Sequence, residues 1–101
     1  MLEFDWQFWA RHLPGLNPSE GLVVREVAFL ADWRGVALAS NEYLTRSTGL
    51  SLSSVTRAKK GLETKEVLKV IPRYFPSGRQ GISRFELALK GLFIIEGVVG
   101  V

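Results

Sequence analysis

Between Ser51 and Thr64 the chain sets hydroxyls and cations at a repeating interval, with no carboxylate before Glu63. If this segment is a helix with Val55 turned inward, a step of about 100° per residue sends Ser53, Arg57, Lys60 and Thr64 to the opposite face. Ser54, Thr56 and Gly61 flank that face. These residue types suit contact with an anionic polymer. A guanidinium at Arg57 can fork onto the two acceptors of a guanine edge, while Ser53, Ser54, Thr56 and Lys60 suit phosphate oxygens or base edges. Ser51, at the head of the segment, would cap free amides and leave a positive end able to approach phosphate. The plainer alternative is a solvated polar face. Poor helix formers and missing acids weigh against it. Lys59 falls near Val55, so its stem is expected along the core edge with the ammonium reaching out to water.

Those side chains need a scaffold, and local signals outline one. Ser40 caps a helix over 41–48, Gly49 supplies the left-handed backbone of a tight turn, and Ser51 caps a helix over 52–64. Leu44, Leu50 and Val55 plug the angle between these helices, and Leu52, Val55, Ala58 and Leu62 are its expected core positions. Upstream, Asn17 reads as a cap, Pro18 as the first helical residue and Glu20 as an acid at the positive helix end. The stretch 21–34 then aligns Leu22, Val23, Val27, Leu30 and Ala31, widened by Val24, Ala28 and Phe29. It should be the most buried helix, with Phe29 and Trp33 in the core and Gly35 as its stop. Residues 2–13 suggest a short helix with Leu2, Trp6, Trp9 and Leu13 on one face, ended by Pro14-Gly15. Val36–Ala39 reads as a short strand. Residues 67–75 and 82–89 read as longer ones around turn chemistry at 76–81, with Phe85, Leu87 and Leu89 alternating.

The run Tyr43-Leu-Thr-Arg-Ser-Thr-Gly-Leu-Ser-Leu-Ser-Ser-Val-Thr-Arg57 resembles a helix-turn-helix, and Lys60-Gly-Leu-Glu-Thr-Lys-Glu-Val-Leu-Lys-Val70 looks like the helix end, turn and first wing strand of winged helix-turn-helix proteins. The resemblance covers about residues 18–89. Through Asn17-Pro-Ser-Glu20, Gly49-Leu-Ser51, Gly78-Arg-Gln-Gly81 and Phe85-Glu-Leu87 it is similar to winged-helix domains of phage and plasmid replication proteins. Thr45 stands where such motifs usually carry Ala, and Lys65-Glu66 replaces a Lys-Gly turn that it is expected to lengthen. The resemblance implies an α+β, mainly α, fold: a three-helix core with a β-hairpin wing plus an extra N-terminal helix. It divides the chain into an aromatic helix at 1–14, the winged domain at 15–90 and an apolar tail at 91–101. It also implies double-stranded DNA as partner, at a replication origin or a regulatory site, in a prokaryotic, phage or plasmid cytoplasm. Residues 52–64 become the recognition helix and 67–89 the wing. Arg79 at the wing tip is placed to enter a minor groove, with Arg73, Gln80 and Arg84 in support and Arg46 facing the backbone from the preceding helix. Tyr74 and Phe75 are expected to cover the hairpin's inner face.

Composition narrows the remaining options. At 101 residues, with 47% apolar and 23% charged residues, the chain suits one folded domain. It has no Cys and a single His, at position 12, which excludes disulfides, thiolate chemistry and a multi-His metal site within one chain. The net +3 conceals a division: residues 40–90 carry ten Lys/Arg against four Glu, net +6, whereas residues 1–39 carry three basic against five acidic groups, net −2. The sequence offers no Walker or dinucleotide loop and no paired carboxylates, so neither an enzyme nor a cofactor is expected, and His12 is expected to pack. The start lacks a secretory pattern, and no apolar run, Leu92–Ile95 included, approaches the roughly 20 residues of a membrane span; a soluble intracellular protein is expected. Phe4, Trp6, Phe8 and Trp9 exceed what a short helix needs for packing. They either extend the core or form a self-association surface, for a homodimer or a larger replication or regulatory complex. A protein-interaction module is therefore the alternative function. The tail through Val101 is open between an added strand, exchange with a second protomer and the cut edge of a longer protein.

Overall fold

The structure is a computed structural model that describes residues 4–88. Leu2, Leu89 and the apolar tail at 91–101 lie outside the described residues. In chain order the elements are α1 (Trp6–Arg11), α2 (Pro18–Leu30), β1 (Val36–Ala39), α3 (Asn41–Thr48), α4 (Leu52–Thr64), β2 (Leu68–Ile71) and β3 (Ser83–Leu87). The result is an α+β fold: four helices against a three-stranded antiparallel sheet of order β1-β3-β2. Val36 faces Glu86 across β1 and β3, and Leu68 faces Leu87 across β2 and β3.

Caps written into the sequence set the helix starts. Asn17 Oδ1 accepts from the Glu20 amide at 2.8 Å while Glu20 Oε1 accepts from the Asn17 amide at 3.0 Å, closing a full capping box with Pro18 just inside it. Ser40 Oγ accepts from the Tyr43 amide and Ser51 Oγ from the Ser54 amide. Gly49 ends α3 at φ 76°, a left-handed conformation that glycine reaches without Cβ strain. The Lys65-Glu66 turn keeps its tightness because Glu66 itself takes φ 60°.

The core joins every layer. Trp9, Val23, Val24, Val27, Leu44, Val55, Leu62 and Phe85 are all fully buried, and α2 contributes more buried residues than any other helix. Tyr43 Oη donates to Glu26 Oε1 at 2.6 Å, pinning α3 to α2. Ser83, Phe85 and Leu87 point inward from β3, and Arg84 and Glu86 point out.

Several expectations need correction. The first helix begins at Trp6 rather than residue 2, because Asp5 Oδ1 accepts from the Gln7 and Phe8 amides and fixes the cap there. The second ends at Leu30, not Arg34. Asp32 Oδ1 takes the amides of Arg34 and Val36, a local turn that competes with the helix. Trp33 is consequently 77% exposed and Phe29 60% exposed, rather than core. The indole of Trp6 fills the space instead: a Cβ on Gly35 (φ 79°) would lie 2.6 Å from its ring. Leu22 sits at the exposed rim of α2, and Leu52 is 58% exposed, whereas Leu50 from the turn packs partly buried against the core. The strand expected over 67–75 stops at Ile71, because Pro72 has no amide for the ladder. Beyond it only a Tyr74–Gln80 bridge pairs the arms, so Tyr74 and Phe75 stay exposed instead of covering the hairpin.

Candidate nucleic-acid interface

The outer face of α4 is the strongest site candidate, and its geometry follows from the inward set. Val55, Ala58 and Leu62 are buried, which leaves Ser53, Arg57, Lys60 and Thr64 exposed on the opposite side. At the head of the helix three hydroxyls cluster. Ser51 Oγ donates to Ser54 Oγ at 3.0 Å and lies 3.3 Å from Ser53 Oγ, so donors converge where the helix amides are positive. Thr56 and Thr64, both exposed, turn their hydroxyls back onto the Leu52 and Lys60 carbonyls.

Arg57 and Ser54 line a groove of about 350 Å³ whose far wall is the start of α2: Asn17, Pro18 and Ser19. From the sequence, Asn17 and Pro18 are expected only to start the helix. Nothing in the spacing alone brings residues nearly forty positions apart together. Gly61, expected to flank the outer face, instead meets the carboxylate of Glu20. Any side chain there would overlap it, so the glycine lets α2 and α4 approach closely. Glu20 is only 4% exposed and also accepts from Lys65 Nζ at 2.5 Å. Burial would raise its carboxyl pKa, but the Lys65 hydrogen bond, the Asn17 amide and the Lys65 charge outweigh that and hold it below the ordinary value.

The cations divide into neutralised and open ones. Arg46 pairs with Glu42 at 2.7 Å and Arg84 with Glu86 at 2.9 Å on the outer sheet face, away from the hairpin tip. Among the described residues no ion pair involves Arg57, Lys60, Arg73 or Arg79. Arg79 lies over the Phe75 ring, 5.4 Å from its centroid, which props the guanidinium at the tip. Gln80, beside Arg79, is exposed; its Oε1 accepts from Asn41 Nδ2 at the start of α3 at 3.4 Å, and its Nε2 donates to Ser83 Oγ at 3.3 Å.

Lys59 lies along the core edge as expected but is more buried than a snorkelling side chain: the residue is 8% exposed, Nζ donates to Asn41 Oδ1 at 2.7 Å, and the Phe85 ring centroid lies 5.6 Å away. Burial lowers its pKa, partly offset by the charge of Glu63 one turn on. His12, expected to pack, is exposed and stacked on Phe8 at 4.1 Å.

The aromatic N-terminus splits between its two readings. Trp6 and Trp9 are buried and extend the core, whereas Phe4 and Phe8 stay partly open. Phe4, Trp6, Ala28, Phe29 and Trp33 line a groove of about 390 Å³. Among the described residues no helix is long and apolar enough to cross a membrane. No family model matches the chain, and no curated protein compared with it matches either.

Proposed function

We propose that the chain is a winged helix-turn-helix module that binds duplex DNA sequence-selectively, in replication initiation or transcriptional regulation. One observation carries this reading: the exposed face of α4 holds Arg57 and Lys60 free of ion pairs among the described residues, beside a hydroxyl cluster at a capped helix start. In this mechanism α4 lies in the major groove. Arg57 reads a guanine edge, and Ser51, Ser53, Ser54 and Lys60 hold phosphates. The hairpin brings Arg79 and Arg73 to the neighbouring groove. Arg46 and Arg84, already matched by Glu42 and Glu86, contribute little.

Binding of labelled duplexes measured across salt concentrations tests the proposal. Affinity should fall steeply as salt rises, because each phosphate contact releases condensed counterions. Affinity indifferent to salt refutes it.

A second reading, self-association of two copies through the aromatic face, is favoured by the exposure of Phe29 and Trp33 beside the half-open Phe4. A two-fold dimer would present two α4 faces to a two-fold site. Sedimentation that finds only monomer at every protein concentration refutes it.

A further inference from the structure

Two polar ties run from α4 to the two arms of the hairpin, and both begin one turn apart on the same helix edge. Lys59 Nζ donates to Asn41 Oδ1, Asn41 Nδ2 donates to Gln80 Oε1, and Gln80 Nε2 donates to Ser83 Oγ, at 2.7, 3.4 and 3.3 Å. Glu63 Oε2 accepts from the Val70 amide at 3.1 Å. The first tie crosses from α4 over the start of α3 to the β3 arm, and the second goes directly to β2. Beside the first tie, a cleft of about 420 Å³ lined by Ser40, Glu42, Phe75 and Arg79 separates α3 from the hairpin tip. Beyond Pro72 the arms share only the Tyr74–Gln80 bridge, so little else holds the tip at a set angle.

A buried ammonium is costly unless its donors are satisfied, and here a neutral amide and an aromatic face take that place instead of a carboxylate. A plain leucine at this position would pack against Phe85 without that cost. What the charge adds is direction: it orients the Asn41 amide, whose other end then reaches Gln80.

We propose that Lys59, Asn41 and Gln80 form a brace that sets the hairpin tip relative to the exposed face of α4, so that Arg79 and Arg57 engage one duplex together. This rests on the DNA-binding reading, and Lys59 and Asn41 are positioning residues that touch no nucleic acid.

The test uses Asn41→Ala, with Gln80→Ala as a second variant on the exposed hairpin that leaves the core intact. Without DNA, amide hydrogen exchange is followed at Phe75, Gly78 and Gly81, which donate within the hairpin to Arg79, Phe75 and Arg73 carbonyls. The brace predicts that protection at these amides falls about two- to tenfold in both variants while amides in the middle of α4 hold theirs. Unchanged hairpin protection in Gln80→Ala overturns the proposal, whether or not the chain binds DNA. With DNA, each variant should lose affinity by about two- to tenfold, and Asn41→Ala should cost nothing further once Arg79 is already Ala. Fully additive losses overturn the brace. Wild-type protein that binds no duplex while hairpin protection still responds overturns the DNA reading and leaves the brace standing.

Discussion

The outer face of α4 and the aromatic face around Trp33 both stand open to water, on opposite thermodynamic terms. Ser53, Arg57 and Lys60 keep their hydration and cost the fold nothing by staying exposed. Phe29 and Trp33 forgo the roughly 1.5–3 kcal/mol that burial of a large apolar side chain supplies. The first face is stable as it stands without any cover. The second would gain from any cover. Binding at α4 should therefore be electrostatic and sensitive to salt, and association through Trp33 apolar and nearly indifferent to it.

The largest separation of the two faces should come from Arg57→Ala. Duplex binding should weaken by about 1–3 kcal/mol and lose preference at one base position, with sedimentation unchanged. Equilibrium titration against a panel of single-base variants of the bound duplex checks this, and an intact base preference would mean that α4 does not do the reading.

The seam between the halves comes next. Glu20 in α2 grips Lys65 just past α4, and its folded pKa is depressed, so its contribution is fully present above the unfolded value of about 4.5 and is lost as pH falls through the lower folded value. Asp32 is shifted the same way, chiefly by its hydrogen bond from Arg34, so its contribution is lost only as pH falls below its own ordinary value of about 3.8. Glu20→Gln should lower stability by about 1–2 kcal/mol at neutral pH. It should also flatten the acid limb of a denaturation series relative to wild type, leaving only the remaining acids. An acid limb as steep as that of wild type would show that the carboxylate gains nothing from its partners.

Arg79→Ala should act more gently and evenly. The logarithmic salt slope should drop by about one contact, with affinity reduced alike on all sequences. A loss confined to one base position would move Arg79 from phosphate anchoring to readout. Smallest of all should be Trp33→Ser in the monomer, within about 0.5 kcal/mol by thermal or urea unfolding, because little of that ring is buried. A loss of several kcal/mol would place Trp33 back in a core.

What could be read from the chain follows the range of each interaction. The caps at Asn17, Ser40 and Ser51 and the left-handed turn at Gly49 are satisfied within four residues, so their chemistry is visible in a short window. The exposed face of α4 is legible for the same reason, since helical periodicity fixes it once Val55 is placed inward. Trp33 misleads because a local rival, the Asp32 turn, ends α2 early, and a distant one, Trp6, occupies the space beside Gly35. Lys59 misleads because its partner, Asn41, lies eighteen residues away across a helix turn. The signal that could have found it was the position itself, 40° from Val55, where a long side chain must either snorkel or find a buried acceptor. Pro72, which cuts the expected strand short, stood in plain view inside the 67–75 run.

Selection of bound duplexes from a random pool, run in parallel on the wild-type chain and on Arg57→Ala, tests the central claim most directly. A DNA-reading α4 predicts an enriched motif from the wild type in which one guanine position becomes degenerate when Arg57 is lost, the rest of the motif surviving. No enriched motif, or an identical motif from both proteins, contradicts it.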